Sequence, residues 1–529
     1  MICITALSPS QLGATMAKVY RIHPGMGFAR VGPSRQGYFL AGEAPGAAPI
    51  DIDATGNEAP FAGYKDASKI MRRQGARFRV YEYDKDAATG RLTLLREITA
   101  AEADIEWSVS LTSSKAAGKE MVSAAGPDGK RTIVPGTQDR NQPPQGFTRA
   151  DLIASVDLKV KGKNAGPAPG AEPMGKFLNK DLFLGEARTD AAGRLVVLAG
   201  RGDAASWTTP PTVIPQYLNN PTWHDDIADG SVDATITFAG QTPVNAEGAW
   251  VFMAPPDFAP DVQPVTTLLD IAEQASSVPL PAPLTYPQDI EPILQRAAAL
   301  YYVSIQSVWA TMNKHMANLP NLGDNSAAAA ANRKKVRTAL LLAETQMSDF
   351  SLTDRQKKIL DAWVAGTFQS QADGGRPVPT AAEALDRASL GHCVGGGFFP
   401  GIEAGTVLRQ PTIYSELGRL KRGSFTDHDG SVHALVPGLI SSRMACPWQA
   451  DFVECERNWW PAQRPDITGR TAAGAPIEKW HRGIVVNDDT QDPRSHKNMV
   501  EHFAQLGVIV KSGAGFAEVG RDPALPTTP

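Results

Sequence analysis

RFRVYEYDKDAATGRLTLLREIT, residues 77–99, sets the fold class. Apolar and aromatic side chains alternate with charged ones through 77–86, the chain turns at AATG, and a second alternating run follows, so the segment predicts a β-hairpin. KDLFLGEART (180–189), the turn DAAG and RLVVLAG (194–200) predict another. EWSVSLTSS, LIASVDLKV and SVDATITFAG add strands between 106 and 240, joined by Pro/Gly-rich loops such as KNAGPAPGAEPMG (163–175). The two turns are similar, but no fixed period follows them, so these are hairpins and not a repeat array.

The pattern changes near residue 285. In PQDIEPILQRAAALYYVSIQSVWATMN (287–313), Ile290, Ile293, Leu294, Ala297, Leu300 and Tyr301 fall at helical spacing. NRKKVRTALLLAETQ and TDRQKKILDAWVAG predict two more helices, the second opened by a Thr353–Gln356 capping box. A Thr380–Glu383 box opens AAEALDRASL, which runs into Cys393, and a last helix is expected near NMVEHFAQLG (498–507). The expected class is α+β: a β-rich N-terminal half followed by a helical, irregular, loop-rich half that carries the site. The expected division is an extension over 1–15, a β-rich region over 16–275 and a helical and loop-rich catalytic region over 276–529, with a core that the last two can share.

The 529 residues carry 52 basic and 56 acidic side chains, for a formal charge of −4. Near-neutral charge without a long Lys/Arg block argues against nucleic acid or a membrane surface as partner. No apolar run reaches the ~18 residues of a membrane span. Hydrophobic residues at 42 % with ten tryptophans provide for a core and exclude a disordered chain. The opening MICITALSPSQLGAT is a poor signal peptide, so the default expectation is a cytoplasmic protein, with leaderless export as the alternative. Four cysteines are too few for a disulfide framework, yet three of them, Cys393, Cys446 and Cys455, fall in one short part of the chain.

That part holds the chemistry. HCVGGGFFPGIEAG (392–405) places a cysteine at a helix end before three glycines, where another group can come close. It lacks the strand and spacing of a phosphate loop, and a buried inert thiol is the plainer reading of Cys393. TDHDG (426–430) sets Asp427 and Asp429 around His428; without HExxH or CxxC beside it, a solvated turn is favoured over a metal site. MACPWQADFVECERNWWPAQRPD (444–466) gathers three tryptophans, two cysteines and two arginines.

Four stretches, YRIHPGMGFARVG (20–32), AWVFMAPPDFAP (249–260), CVGGGFFPGIEAG (393–405) and PWQADFVECERNWWPAQRPD (447–466), resemble the cysteine tryptophylquinone amino-acid oxidases, the family of lysine ε-oxidase and quinoprotein glycine oxidase. The last two stretches are the specific ones, and together the four span nearly the whole chain. The resemblance implies a cofactor made from the protein itself, in which a cysteine sulfur is bonded to a tryptophan that carries two quinone oxygens. Cys393 is then the thioether partner and Trp448 the first candidate for the ring, with Trp459 and Trp460 as fallback. No flavin or metal is expected in the mature enzyme, but a flavin-dependent maturation protein is. The implied activity is oxidative deamination of an amino-acid amine with O2 as acceptor, releasing NH3 and H2O2, in a homo-oligomer. For the base, Asp429 and Asp427 come first, then His428, His433 and His392. Arg464 is a candidate for a substrate carboxylate, or for pairing with Asp466 or Asp451, and His392 is a second substrate-binding candidate. Cys446 departs from the pattern, standing where a small apolar residue is expected. The competing readings are a cysteine hydrolase using Cys393 with His428 or His433, and a family member without the quinone.

Overall fold

The computed structural model describes residues 16–53, 55–125, 131–346, 351–395, 405–427, 429–454, 463–513 and 515–525. Both hairpins form. Arg73–Asp86 pairs antiparallel with Leu92–Ile98, and Gly185–Thr189 pairs with Leu195–Ala199. These strands belong to a 14-stranded sheet whose spine runs in the order 154–161, 103–113, 229–238, 249–254, 26–30, 73–86, 38–40, 50–52 and 58–60. The 14-residue strand Arg73–Asp86 is its longest member and also holds Met16–His23 and Leu195–Ala199.

At the middle of the spine, Met26–Arg30 runs parallel to Ala249–Ala254, with Phe28 opposite Phe252 and their rings stacked at 4.8 Å. Both strands are buried along their whole length, as expected of strands covered on two faces. The two-residue strand period sorts their side chains. Met26, Phe28, Trp250 and Phe252 turn to the apolar cluster that contains Cys393, while Ala29, Val251 and Met253 turn to the main core. That main core extends from Ile22 to Leu525, so the β-rich and helical regions share it.

Helices begin at α1 (Leu268–Ala275) and continue with α2 (Glu291–Ala299), α3 (Ser307–Asn318), α4 (Ala330–Gln346), α5 (Asp354–Ala365) and α6 (Ala381–Gly391). The capping boxes form on α5 and α6: the Thr353 and Thr380 side chains accept from the Gln356 and Glu383 backbone N–H groups. The 287–313 segment breaks between α2 and α3, where Asp466 accepts from Ser304 Oγ and the Ile305 N–H and so stabilises a turn. α7 (Trp448–Glu454) is short, and α8 (Pro493–His502) is followed by an antiparallel hairpin, Val508–Ser512 with Gly515–Val519. No helix among the described residues is long and apolar enough to cross a membrane.

Candidate active site

Helix α6 delivers Cys393 to the sheet. Asp386 of α6 accepts from His23 Nδ1 at 2.9 Å and from the Gly25 N–H at 2.7 Å, and Tyr83 Oη meets His23 Nε2 at 3.0 Å. One turn on, Ser389 Oγ donates to the Met26 carbonyl at 2.7 Å. A further turn brings the chain past the helix end, where the Cys393 thiol donates back to the Ser389 carbonyl at 3.3 Å. Residues 386, 389 and 393 share one helix face, so the contacts that tie α6 to the 20–32 stretch also set the position of the sulfur.

The main chain after α6 is fixed from the other side. The Leu268 N–H, at the start of α1, donates to the Cys393 carbonyl at 2.9 Å, and the Gly395 N–H donates to the Thr266 carbonyl at 2.9 Å. A Cβ on residue 395 would lie 1.9 Å from the Thr267 carbonyl oxygen. Gly395 is therefore required by the approach of a second main chain, which is the group that comes close at this glycine. Gly396 and Gly397 lie outside the described residues. Gly395→Ala should push the 393–395 bridge off residues 266–268 and cost about 2 kcal/mol or more, read as a lowered denaturation midpoint against wild type.

Cys393 is not in a disulfide and has 1 % of its surface exposed. It lines a cavity of about 590 Å³ bounded by strand residues 27–30, the 39–49 segment, the 257–263 loop, α2, α6 and Lys511. Arg30, 4 % exposed, lines it and donates to the Pro255 carbonyl at 3.1 Å. His392 lines it too; burial holds its imidazole below the usual value, Arg30 pushes the same way and Asp261 opposes. The 257–263 loop is anchored on both sides: the Phe258 N–H donates to the Gln463 carbonyl at 2.9 Å and its carbonyl accepts from the Ile509 N–H at 2.8 Å.

The other expected site residues lie elsewhere. Trp448 is fully buried in the main core, edge-on to Phe452 and Phe503 at 5.1 and 5.0 Å, and is not in the cluster that holds Cys393. Its backbone N–H donates to Asp225 Oδ2 at 3.0 Å, and Asp225 is in turn paired with the buried Lys115 at 2.7 Å. The structure therefore does not bring Trp448 to Cys393, because the start of α7 is fixed to the 223–225 strand. Trp459 and Trp460 lie outside the described residues, as do Cys455 and His428.

Arg464, the sequence candidate for a substrate carboxylate, is fully buried and bonded to the Phe452, Val453 and Pro465 carbonyls and to Asp466, so it closes a turn and does not line the cavity that holds Cys393. Asp427 and Asp429 flank the turn of the Ser424–Thr426 and Val432–Ala434 hairpin and do not line the cavity. Arg443 holds Asp427, and His433 Nε2 lies 3.5 Å from the same carboxylate. Local pairing thus accounts for residues that looked like a base in the sequence, and it removes His433 from a thiol–imidazole pair with Cys393. Among the described residues, Asp427, Asp429 and His433 are also the one group with metal-ligand spacing, but the Arg443 guanidinium already supplies Asp427 with positive charge. Cys446 is fully buried, donates to the Trp223 carbonyl at 3.2 Å, and has its thiol pushed up to about 12 by burial, which makes it inert. The cavity residues missed from sequence are Arg30, Asp257, Asp261 and Lys511; the first three lie inside or beside the 20–32 and 249–260 stretches.

The family model for the L-lysine epsilon oxidase N-terminal region matches residues 23–253, and that for the C-terminal domain matches residues 322–495. L-lysine 6-oxidase of Marinomonas mediterranea is 26 % identical over 537 aligned residues, which take in 82 % of this chain and 70 % of that protein. The crystal structure of the L-Lys epsilon-oxidase from the same organism shares the fold, with a TM-score of 0.72 at 22 % identity over 95 % of both chains. The structure of its Schiff base intermediate with L-Lys gives the same values. With its α+β architecture and both halves matched, the chain belongs to the L-lysine epsilon oxidase family of amino-acid oxidases.

Proposed function

We propose that this chain oxidises a primary amine of a free amino acid through a cysteine tryptophylquinone. One amine, one dioxygen and one water give one carbonyl compound, one ammonia and one hydrogen peroxide, with two electrons passing from the amine carbon to dioxygen. The observation that carries the reading is the buried Cys393 thiol lining a cavity, in a chain of this family. The name of the relative makes L-lysine the first substrate to test.

A thiol is the side chain that a thioether-linked ring requires, so Cys393 fits. Trp448 does not fit, and we assign the ring to Trp459 or Trp460. They precede Gln463 by four and three residues, within ~14 Å of chain, and Gln463 is bonded to the loop that walls the cavity. When formed, the quinone supplies an electrophilic carbonyl and a two-electron sink. The protein does the rest. α6 and residues 266–268 hold the main chain around Cys393, burial of the thiol limits water, and neutral His392 takes the proton from the carbon beside the amine nitrogen. Arg30 keeps positive charge in the cavity, which favours the neutral amine over ammonium there. Maturation falls to a flavin-dependent partner protein.

Peptide mapping after co-expression with such a flavoprotein tests the assignment. After reduction and digestion, the Cys393 peptide and the peptide carrying Trp459 and Trp460 should run as one species carrying two added oxygens, and the Trp448 residue should be unmodified. Separate, unmodified peptides from protein that releases peroxide with an amine would sink the reading.

A further inference from the structure

Two anchors hold the C-terminal end of α7, where the chain leads on to Trp459 and Trp460. Arg464 donates through Nε to the Phe452 carbonyl at 2.7 Å and through Nη2 to the Val453 carbonyl at 3.2 Å, which brings residue 464 back against the end of α7. The next residue, Glu454, is met by His496 of α8, whose Nε2 lies 2.8 Å from Oε1. His496 is fully buried, and its Nδ1 lies 2.7 Å from the Ile214 carbonyl. A carbonyl only accepts, so Nδ1 carries a proton. In a neutral imidazole Nε2 would then turn a lone pair on a carboxylate oxygen, and two lone pairs repel at 2.8 Å. One proton therefore lies between Nε2 and Oε1, and among the described residues neither atom has another partner. Asp492, which caps α8, is the second carboxylate that feels the His496 charge, and the other acid of α7, Asp451, lies one turn before Glu454. Ile214 offers only its carbonyl, and Cys446, in the same apolar cluster, is a thiol that burial keeps neutral.

We propose that this shared proton fastens the end of α7 to α8, and that His496 is thereby a positioning residue for formation of the quinone. The inference rests on the assignment of the ring to Trp459 or Trp460, which follow Glu454 by five and six residues. The sulfur side has little freedom, since the Cys393 thiol is bonded to the Ser389 carbonyl and its own carbonyl to the Leu268 N–H. A bond between sulfur and an indole carbon then demands that the other partner start from a fixed place, and small displacements slow such a step steeply. While the proton is present, the pair makes a charge-assisted contact. When rising pH removes it, a neutral Nε2 faces a carboxylate and the contact turns repulsive, so the fastening loosens on the alkaline side.

Two variants separate the proton from the packing. His496→Asn keeps a donor for the Ile214 carbonyl, because its amide nitrogen replaces Nδ1, and deletes the contact with Glu454. Glu454→Gln supplies an amide that donates to a neutral Nε2 or accepts from a charged one, so the contact no longer needs a shared proton. Amide hydrogen exchange of the 448–454 peptide, corrected for its intrinsic pH dependence, is read on full-length protein before maturation at about pH 6 and about pH 9. In the parent, exchange should be about tenfold faster at the higher pH, whereas His496→Asn should be fast at both and Glu454→Gln slow at both. After co-expression with the flavoprotein, the fraction of Cys393 peptide in the thioether link should fall about fivefold or more in His496→Asn, and stay within about twofold of the parent in Glu454→Gln. Exchange in the parent that ignores pH, a Glu454→Gln protein that behaves like His496→Asn, or a full linked fraction in His496→Asn would each overturn the proposal. Absence of the link from the parent would count against the quinone reading instead, and the exchange pattern decides the fastening without it.

Discussion

Cys393→Ser should abolish amine-dependent peroxide release, by a factor on the order of 10⁴ or more, while the fold survives. The two effects separate because the sulfur has two unrelated roles. As a side chain it is small, buried and bonded to the Ser389 carbonyl at 3.3 Å, and a serine hydroxyl can make the same bond. Its packing loss is limited to one sulfur, so the melting temperature should fall by no more than about 1 kcal/mol corresponds to. As the sulfur of the proposed quinone it would have no substitute, because no protein side chain in the cavity accepts two electrons from a carbon centre. The measurement pairs a peroxide assay with a thermal melt and a peptide map. A Cys393→Ser enzyme that still releases peroxide with a normal melt would show that the chemistry does not run through this thiol.

Much of the fold was readable because it is local. The AATG and DAAG turns set their hairpins, and the Thr353–Gln356 and Thr380–Glu383 boxes start α5 and α6 where the residues say they should. The sheet order was not readable. Met26–Arg30 lies beside Ala249–Ala254 across more than 200 residues, and a strand buried on both faces has no alternation to show which neighbour it takes. The site divides the same way. Cys393 stood out because a motif surrounds it. The ring residue did not, since Trp448, Trp459 and Trp460 sit within one short segment, and only the anchoring of Trp448 to Asp225 separates it from Cys393. Asp427 and Arg464 attracted attention by residue type, yet both are matched by partners close in sequence, Arg443 and Asp466. Closeness in the sequence more often marks a satisfied pair than a reactive one.

His392→Asn should lower kcat by about 10²- to 10⁴-fold, with a much smaller change in KM, if its imidazole removes the proton from the substrate carbon. The pH dependence gives the sharper test. A base must be deprotonated, so activity is lost as pH falls through the His392 pKa. Burial, the largest cause, and Arg30 both hold that value below the ordinary ~6.5, and Asp261 opposes them. The acid limb of kcat should therefore lie below pH ~6.5 in the parent enzyme. Arg30→Met removes a nearby positive charge and should move the limb to higher pH, whereas Asp261→Asn removes a negative one and should move it lower. A residue that merely packs beside Cys393 would produce neither shift, and a base outside the cavity would leave the limb unmoved by these two substitutions. Opposite displacements of one limb by two cavity residues would place the base in this cavity, and loss of that limb together with the kcat loss in His392→Asn would identify it as His392.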